Sequence, residues 1–278
     1  MKKVALIGYP LGHSISPTMH NAAYQALNLD YDYSLYPIKP EDFKNPNREL
    51  ETILYLSSEY AGFNVTIPYK ELIIPCLDDI DVLAHKIGAV NTVKVEDGKL
   101  VGYNTDGPGF IESLKDEGNF NPTGKRSLIL GAGGAGKAIA VMLRENNPSE
   151  LLIYDAVKAK AEHLAGIVKG KAISKIGNEI ENVDLLVNCS PIGMSPDSEA
   201  MPIPDNIKFS SKTTVYDLVY NPFETKLLKK AKAEGATAVS GLGMLIRQGA
   251  LAFKIFTGVE APYDVMKRAA YQALKINN

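Results

Sequence analysis

Residues 127–155 read SLILGAGGAGKAIAVMLRENNPSELLIYD, and the fold follows from how that stretch is parsed. An apolar run, Leu128-Ile129-Leu130, stops at Gly131. Gly133 and Gly136 complete the spacing G-x-G-x-x-G around Gly134 and Ala135, and Lys137 to Leu143 then reads as a helix. A second apolar run, Leu151-Leu152-Ile153, closes on Asp155. Strand, turn, helix and strand in this order make a dinucleotide-binding unit. The first glycine forms the tight turn, the second lets backbone approach a pyrophosphate, and the third lets helix and strand pack closely. The unpaired N–H groups and dipole at the helix start suit phosphate. Gly131, Gly133, Gly134, Ala135 and Gly136 are therefore the expected cofactor turn, and Asp155 the expected acceptor of ribose hydroxyls. Gly131 to Lys137 also spells G-x-x-x-x-G-K, the start of a nucleoside triphosphate loop. That loop needs a Ser or Thr next to hold magnesium, and the chain has Ala138.

Downstream the alternation continues. A helix is expected over Lys158 to Val168, strands at Val183 to Val187, Thr213 to Val219 and Ala236 to Val239, and a helix over Glu224 to Glu234. Strands alternating with helices imply a parallel sheet with right-handed crossovers. Helices through Phe256 and from Tyr263 to Ile276 are expected to return and cover an N-terminal domain.

That domain reads as strands at Val4 to Ile7, Tyr31 to Tyr36 and Ala61 to Ile67, with helices over Pro17 to Leu27 and Arg48 to Ser58. Ser16 is placed as an N-cap and Pro17 as the first helical residue. On local pattern Ser14 and Ser16 either cap this helix or hold an anion beyond the strand end. Asp97-Gly98 between apolar alternation is the strongest short hairpin signal. Lys70 follows the third strand, and Asp106, in the run GYNTDGPG, lies at the border between the two domains, where a cleft is expected.

A 278-residue chain of 45% hydrophobic residues is long enough for two such cores. Its net charge of -2 offers no electrostatic footprint for nucleic acid or an anionic membrane. Lys226, Lys229, Lys230 and Lys232 read as the solvated face of a helix. Cys76 and Cys189 are far apart and outside any ligand spacing, so neither a disulfide nor a metal is expected, and the setting is a reduced cytoplasm. His13 and His20 read as structural, with no carboxylate or cysteine at ligand spacing. The apolar N-terminal run breaks at Gly8-Tyr9-Pro10, too soon for a secretory signal.

Along nearly its full length the chain resembles the shikimate dehydrogenases. The resemblance is carried by GYPLGHSISPTMHN at 8–21, NVTIPYK at 64–70, GAVNT at 88–92, GYNTDG at 102–107, the glycine turn, YDLVYNP at 216–222 and GLGMLIRQG at 241–249. It implies a two-domain α/β enzyme with a doubly wound parallel-sheet dinucleotide domain, 108–239. A discontinuous substrate domain is built from 1–107 and 240–278. The implied reaction interconverts 3-dehydroshikimate and shikimate with a nicotinamide cofactor; quinate as main substrate and a non-catalytic dinucleotide sensor are the alternatives. Lys70 and Asp106 would form the catalytic pair, because hydride leaving a carbinol carbon must be matched by loss of the hydroxyl proton. Ser14 and Ser16 would bind the substrate carboxylate, Thr66, Asn91, Asp106 and Gln248 its hydroxyls, and Tyr220 a further part of it. Ser190, Gly241 and Met244 would line the cofactor, Met244 against the nicotinamide.

Two departures from the family pattern stand out. Cys189-Ser190 replaces the commoner Ala-Thr, a mild change. Asp155-Ala156-Val157 replaces the Asn-Arg-Thr that grips a 2′-phosphate, so NAD is favoured here although the family habit is NADP. A competing reading has Asp155 turned away, capping the following helix. The sequence leaves oligomeric state open.

Overall fold

In a computed structural model, residues 1–43, 46–177, 180 and 182–276 are described. In chain order the first elements are β1 (Lys2–Gly8), α1 (Ser16–Ala26), β2 (Tyr31–Pro37), α2 (Pro40–Phe43), α3 (Pro46–Glu59) and β3 (Gly62–Val65). After a single 3-10 turn come β4 (Asp79–Ile80), α4 (Val82–Ile87), β5 (Thr92–Glu96) and β6 (Lys99–Tyr103). The middle of the chain forms α5 (Asp106–Asp116), β7 (Arg126–Leu130), α6 (Gly134–Glu145), β8 (Glu150–Tyr154), α7 (Lys158–Val168) and β9 (Lys171–Ala172). It continues through β10 (Leu185–Asn188), β11 (Thr214–Asp217), α8 (Lys226–Ala233) and β12 (Thr237–Ser240), and the last helices are α9 (Leu242–Thr257) and α10 (Tyr263–Ala273).

The chain divides into two compact units, one of residues 1–105 with 246–278, the other of 106–245. In the first, the sheet order is β2-β1-β3-β5-β6-β4. β1 pairs in parallel with β2 and β3, while β5 runs antiparallel to both β3 and β6. The β5–β6 hairpin turns on Asp97 and Gly98, both at positive φ (50° and 76°), as a two-residue turn of this twist demands. The period-two alternation of strands splits this unit's core. Ala5, Ile7, Phe63 and Val65 join Ile53 and Leu56 of α3 in one cluster. Val4, Leu6 and Asn64 therefore face the other side, where Tyr33 stacks on His20 of α1 with ring centroids 4.3 Å apart. α9 closes on the same face, since a Cβ on Gly62 would meet Phe256 at 2.7 Å.

The second unit is a six-stranded parallel sheet, β12-β11-β10-β7-β8-β9. Renumbered within the unit, this is the 3-2-1-4-5-6 order of doubly wound sheets, with its switch point between β7 and β10. All four residues of β10 and of β11 are buried, as strands covered on both faces must be. α5 is fastened to this sheet: Phe110 sits edge-on to Tyr216 at 4.9 Å, and Ser113 Oγ and Tyr216 Oη share a hydrogen bond of 2.7 Å. Gly107 lets α5 close on α6, because a Cβ there would lie 2.6 Å from Met142 Cγ. On α8 the basic cluster is largely paired: Lys226 with Asp205, Lys230 with Glu234 and Lys232 with Glu224.

Candidate active site

In the second unit each glycine of the turn has its own geometry. Gly131 follows β7 at φ 103°, a conformation side chains rarely adopt, and a Cβ there would lie 3.1 Å from Cys189 C and Ser190 N. The loops after β7 and β10 thus meet at the switch point. A Cβ on Gly133 would meet nothing within 4 Å, so its space is open to a ligand. A Cβ on Gly136 would stand 2.0 Å from Gly131 O, which forbids any side chain. α6 starts without a side-chain cap, leaving its first amides to an anion. These features fit a dinucleotide pyrophosphate. Ala138 is fully buried, consistent with packing rather than with a metal-binding hydroxyl.

Asp155 uses both carboxylate oxygens on backbone. Oδ2 accepts from the Ala132 N–H at 2.7 Å, and Oδ1 from the Val157 N–H at 2.8 Å. It braces the glycine turn from the end of β8. It does not cap α7, whose N-cap is Val157 with no side-chain bond; the competing capping expectation is corrected, because the carboxylate is drawn to the nearer loop amide. Ser190 is also engaged locally, its N–H and hydroxyl both donating to Asn188 Oδ1 at 3.1 and 2.6 Å. Met244 is buried, and Gly241 is pressed to backbone, since a Cβ there would lie 2.1 Å from Leu218 O.

Behind these loops sits a residue that sequence reasoning passed over. Asp217, at the end of β11, is fully buried. It accepts from Asn188 Nδ2 at 2.9 Å, the Val219 N–H at 3.1 Å and Thr225 Oγ1 at 2.6 Å. Asn188 in turn holds Ser190 and Ile192, and Thr225 is the N-cap of α8. Asp217 thereby ties the loop of Ser190 to the loop of half-buried Tyr220. Burial pushes its carboxyl up to about 6 against those three bonds. Asp106, also buried, is the first residue of α5, where an acidic side chain suits the helix dipole.

In the first unit Lys70 is half-buried in the turn after β3, and its carbonyl accepts from the Val90 N–H at 2.7 Å. Its neighbour Tyr69 is anchored by a hydroxyl bond to Ile38 O at 2.6 Å and by stacking on Phe43 at 4.4 Å. The Tyr69 N–H binds Thr66 O at 2.9 Å, which holds Thr66 and Lys70 on one tight turn. Asn91 is buried, and its Oδ1 accepts from Thr92 Oγ1 at 3.1 Å and the Thr105 N–H at 2.8 Å. Its Nδ2 donates to Thr105 Oγ1 at 2.8 Å and to Gln248 Oε1 of α9 at 3.3 Å.

The expectation that Ser16 caps α1 is corrected. The helix begins at Ser16 itself, with Ile15 flanking and no side-chain cap. The Ser16 N–H instead donates to Ser14 Oγ at 3.3 Å, and Ser16 is buried. Pro17 keeps its place in the first turn. His20 is buried and its imidazole pulled down to about 3 by desolvation, a neutral packing group. Both cysteines are free, and burial raises both thiols, Cys76 to about 11, away from nucleophilic chemistry. Among the described residues there is no cluster of His, Cys, Asp and Glu fit for a metal, and no helix long and apolar enough to cross a membrane.

Residues 6–93 match the shikimate dehydrogenase substrate binding domain, and 241–271 the shikimate 5'-dehydrogenase C-terminal domain. Shikimate dehydrogenase (NADP(+)) of Methanopyrus kandleri is 43% identical over 98% of this chain and 96% of its own. The crystal structure of shikimate 5-dehydrogenase from Thermus thermophilus in complex with NADP(H) and shikimate superposes with a TM-score of 0.88 at 37% identity, covering 99% of this chain and all of that one. That of Listeria monocytogenes, in complex with shikimate and NAD, gives a TM-score of 0.81 at 33% identity over 96% of each chain. Likeness of this extent, over the same residues that build the glycine turn and the Asn91 cluster, makes the chain a member of the shikimate dehydrogenase family.

Proposed function

We propose that the chain interconverts 3-dehydroshikimate and shikimate on the route to aromatic amino acids, with the unit of 1–105 and 246–278 as the substrate side. The observation that carries this reading is the cluster of buried Asn91 and Thr105 with half-buried Gln248. Fixed amide and hydroxyl groups of this kind suit a ligand bearing several hydroxyls, because a buried polar group left unpaired is costly. Ser14 and Ser16 hold the carboxylate; Thr66, Asn91, Asp106, Gln248 and Tyr220 hold the ring. Gly131, Gly133, Gly134, Ala135, Gly136, Ser190, Gly241 and Met244 would hold the cofactor, which when bound supplies the hydride-carrying nicotinamide. Lys70 takes and returns the proton of the reacting hydroxyl, and Asp106 holds that hydroxyl in place. Quinate as main substrate is not favoured, as the relatives above are named for shikimate.

The same reading favours NAD. Asp155 stands where a 2′-phosphate would be gripped, and at about 4 Å two unit charges repel by roughly 1 kcal/mol in water and about 4 in a partly shielded site. Ala156 offers no guanidinium, and Lys158 is spent on Glu162 at 3.2 Å in an exposed pair. Initial rates with shikimate and quinate, each against NAD and NADP, test both points. The expected result is turnover of shikimate, faster with NAD. Faster turnover with NADP would retire Asp155 as discriminator, and no turnover with any pairing would favour a dinucleotide sensor. Gly136→Ala is expected to weaken dinucleotide binding about 10- to 100-fold, the cost of forcing backbone apart in a packed turn. Calorimetric titration with NAD reads it.

A further inference from the structure

Tyr33 and Asn64 belong to none of the contacts assigned above, yet they join them. Tyr33 lies on β2 beside Val4 of β1, and Asn64 on β3 beside Leu6. The tyrosine ring therefore reaches across β1 on one face of the sheet. Its hydroxyl donates to Asn64 Oδ1 at 2.8 Å. Asn64 Nδ2 then donates to Thr92 Oγ1 at 2.9 Å and to Asn91 O at 3.1 Å. Thr92 Oγ1 donates its proton to Asn91 Oδ1, and Asn91 Nδ2 donates to Gln248 Oε1. Every bond in this chain runs in one direction, from Tyr33 through Asn64, Thr92 and Asn91 to Gln248.

A one-way chain fixes polarity. Asn64 cannot turn its amide over without setting its oxygen against the Asn91 carbonyl, and Asn91 cannot without setting its NH2 against the Thr105 N–H. Gln248 is thereby set with Oε1 toward Asn91 and Nε2 away from it. Both Tyr33 and Asn64 are almost fully buried, so water does not compete for these bonds. The tyrosine is held in plane by its stack on His20 and by two backbone bonds to Asn21, at 2.8 and 2.9 Å.

We infer that Tyr33 and Asn64 are positioning residues for substrate recognition, holding the Asn91 and Gln248 amides in the orientation that ring hydroxyls require. The inference rests on the proposed roles of Asn91 and Gln248. Tyr33→Phe removes one oxygen and keeps the ring, and Thr92→Val interrupts the chain downstream with little change of shape. Each is expected to raise KM for shikimate about tenfold, the scale of one well-placed buried hydrogen bond, while KM for the dinucleotide stays unchanged. Initial-rate kinetics over both substrates decide. Unchanged KM for shikimate in both variants overturns the inference, as does an equal rise in KM for shikimate and dinucleotide. If Tyr33→Phe does not fold, Thr92→Val decides alone. Failure of the unaltered chain to turn over shikimate would instead strike the reading beneath it.

Discussion

Lys70→Met is expected to lower kcat by about 10²- to 10⁴-fold, the span associated with a positioned acid or base, while leaving shikimate and dinucleotide affinities near their original values. The case for so clean a loss is local. The Lys70 backbone is pinned through its carbonyl to Val90, and Tyr69 beside it is anchored by Ile38 O and Phe43, so the turn keeps its shape whatever the side chain does. Methionine reproduces the length and apolar stem of lysine, which here is half-buried, and omits only the group that carries a proton. Steady-state kinetics with calorimetric binding of each ligand separates the terms. A kcat close to that of the unaltered enzyme would remove Lys70 from the chemistry. A collapse of shikimate binding would recast it as a binding residue.

Asp217→Ala is expected to destabilise the fold by about 3 kcal/mol at neutral pH. Three buried donors, on Asn188, Val219 and Thr225, would lose their acceptor, at about 1–3 kcal/mol each. Relief of the carboxylate's own burial offsets part of this, since its rise from 3.8 to about 6 amounts to about 3 kcal/mol against the ionised form. That rise carries a pH signature. The folded value lies above the unfolded one, so the native state holds the proton more tightly. The contribution is complete below the unfolded value and is lost as pH climbs through about 6. Asp217→Asn cannot titrate, so its deficit relative to aspartate should narrow between pH 4 and pH 7. Denaturant unfolding at several pH values checks it. A difference that stays flat across that window would contradict the assignment.

Much of this was legible from residues 127–155 because each glycine there answers a backbone demand that no other residue meets. The Asp97-Gly98 hairpin was legible for the same reason. What escaped was the interior polar wiring. A tyrosine such as Tyr33 in an alternating strand reads as an ordinary β-former, and nothing local announces that its hydroxyl will cross a neighbouring strand to find Asn64. Asp217 was visible within YDLVYNP, but its partners stand 29 residues before it and two and eight after, a set that only the sheet brings together. Ser16 misled because serine before proline is a good capping signal, and the residue is instead buried inside the first turn of α1. Short elements such as β4, β9 and α4 fell below the length at which periodicity speaks.

The first unit is completed by α9 and α10, and α10 packs on α1 across most of the sequence. As the polypeptide leaves the ribosome, the unit with the glycine turn has all of its residues in one uninterrupted run and can settle while synthesis continues. The unit with Lys70 cannot. Its sheet must wait, one face covered only in part by α1, until the last helices emerge, and Gln248 is among the final arrivals. A message truncated shortly after β12 would therefore yield a chain whose second unit is nearly complete and whose first lacks α9 and α10, with exposed apolar surface that marks it for chaperones and proteolysis.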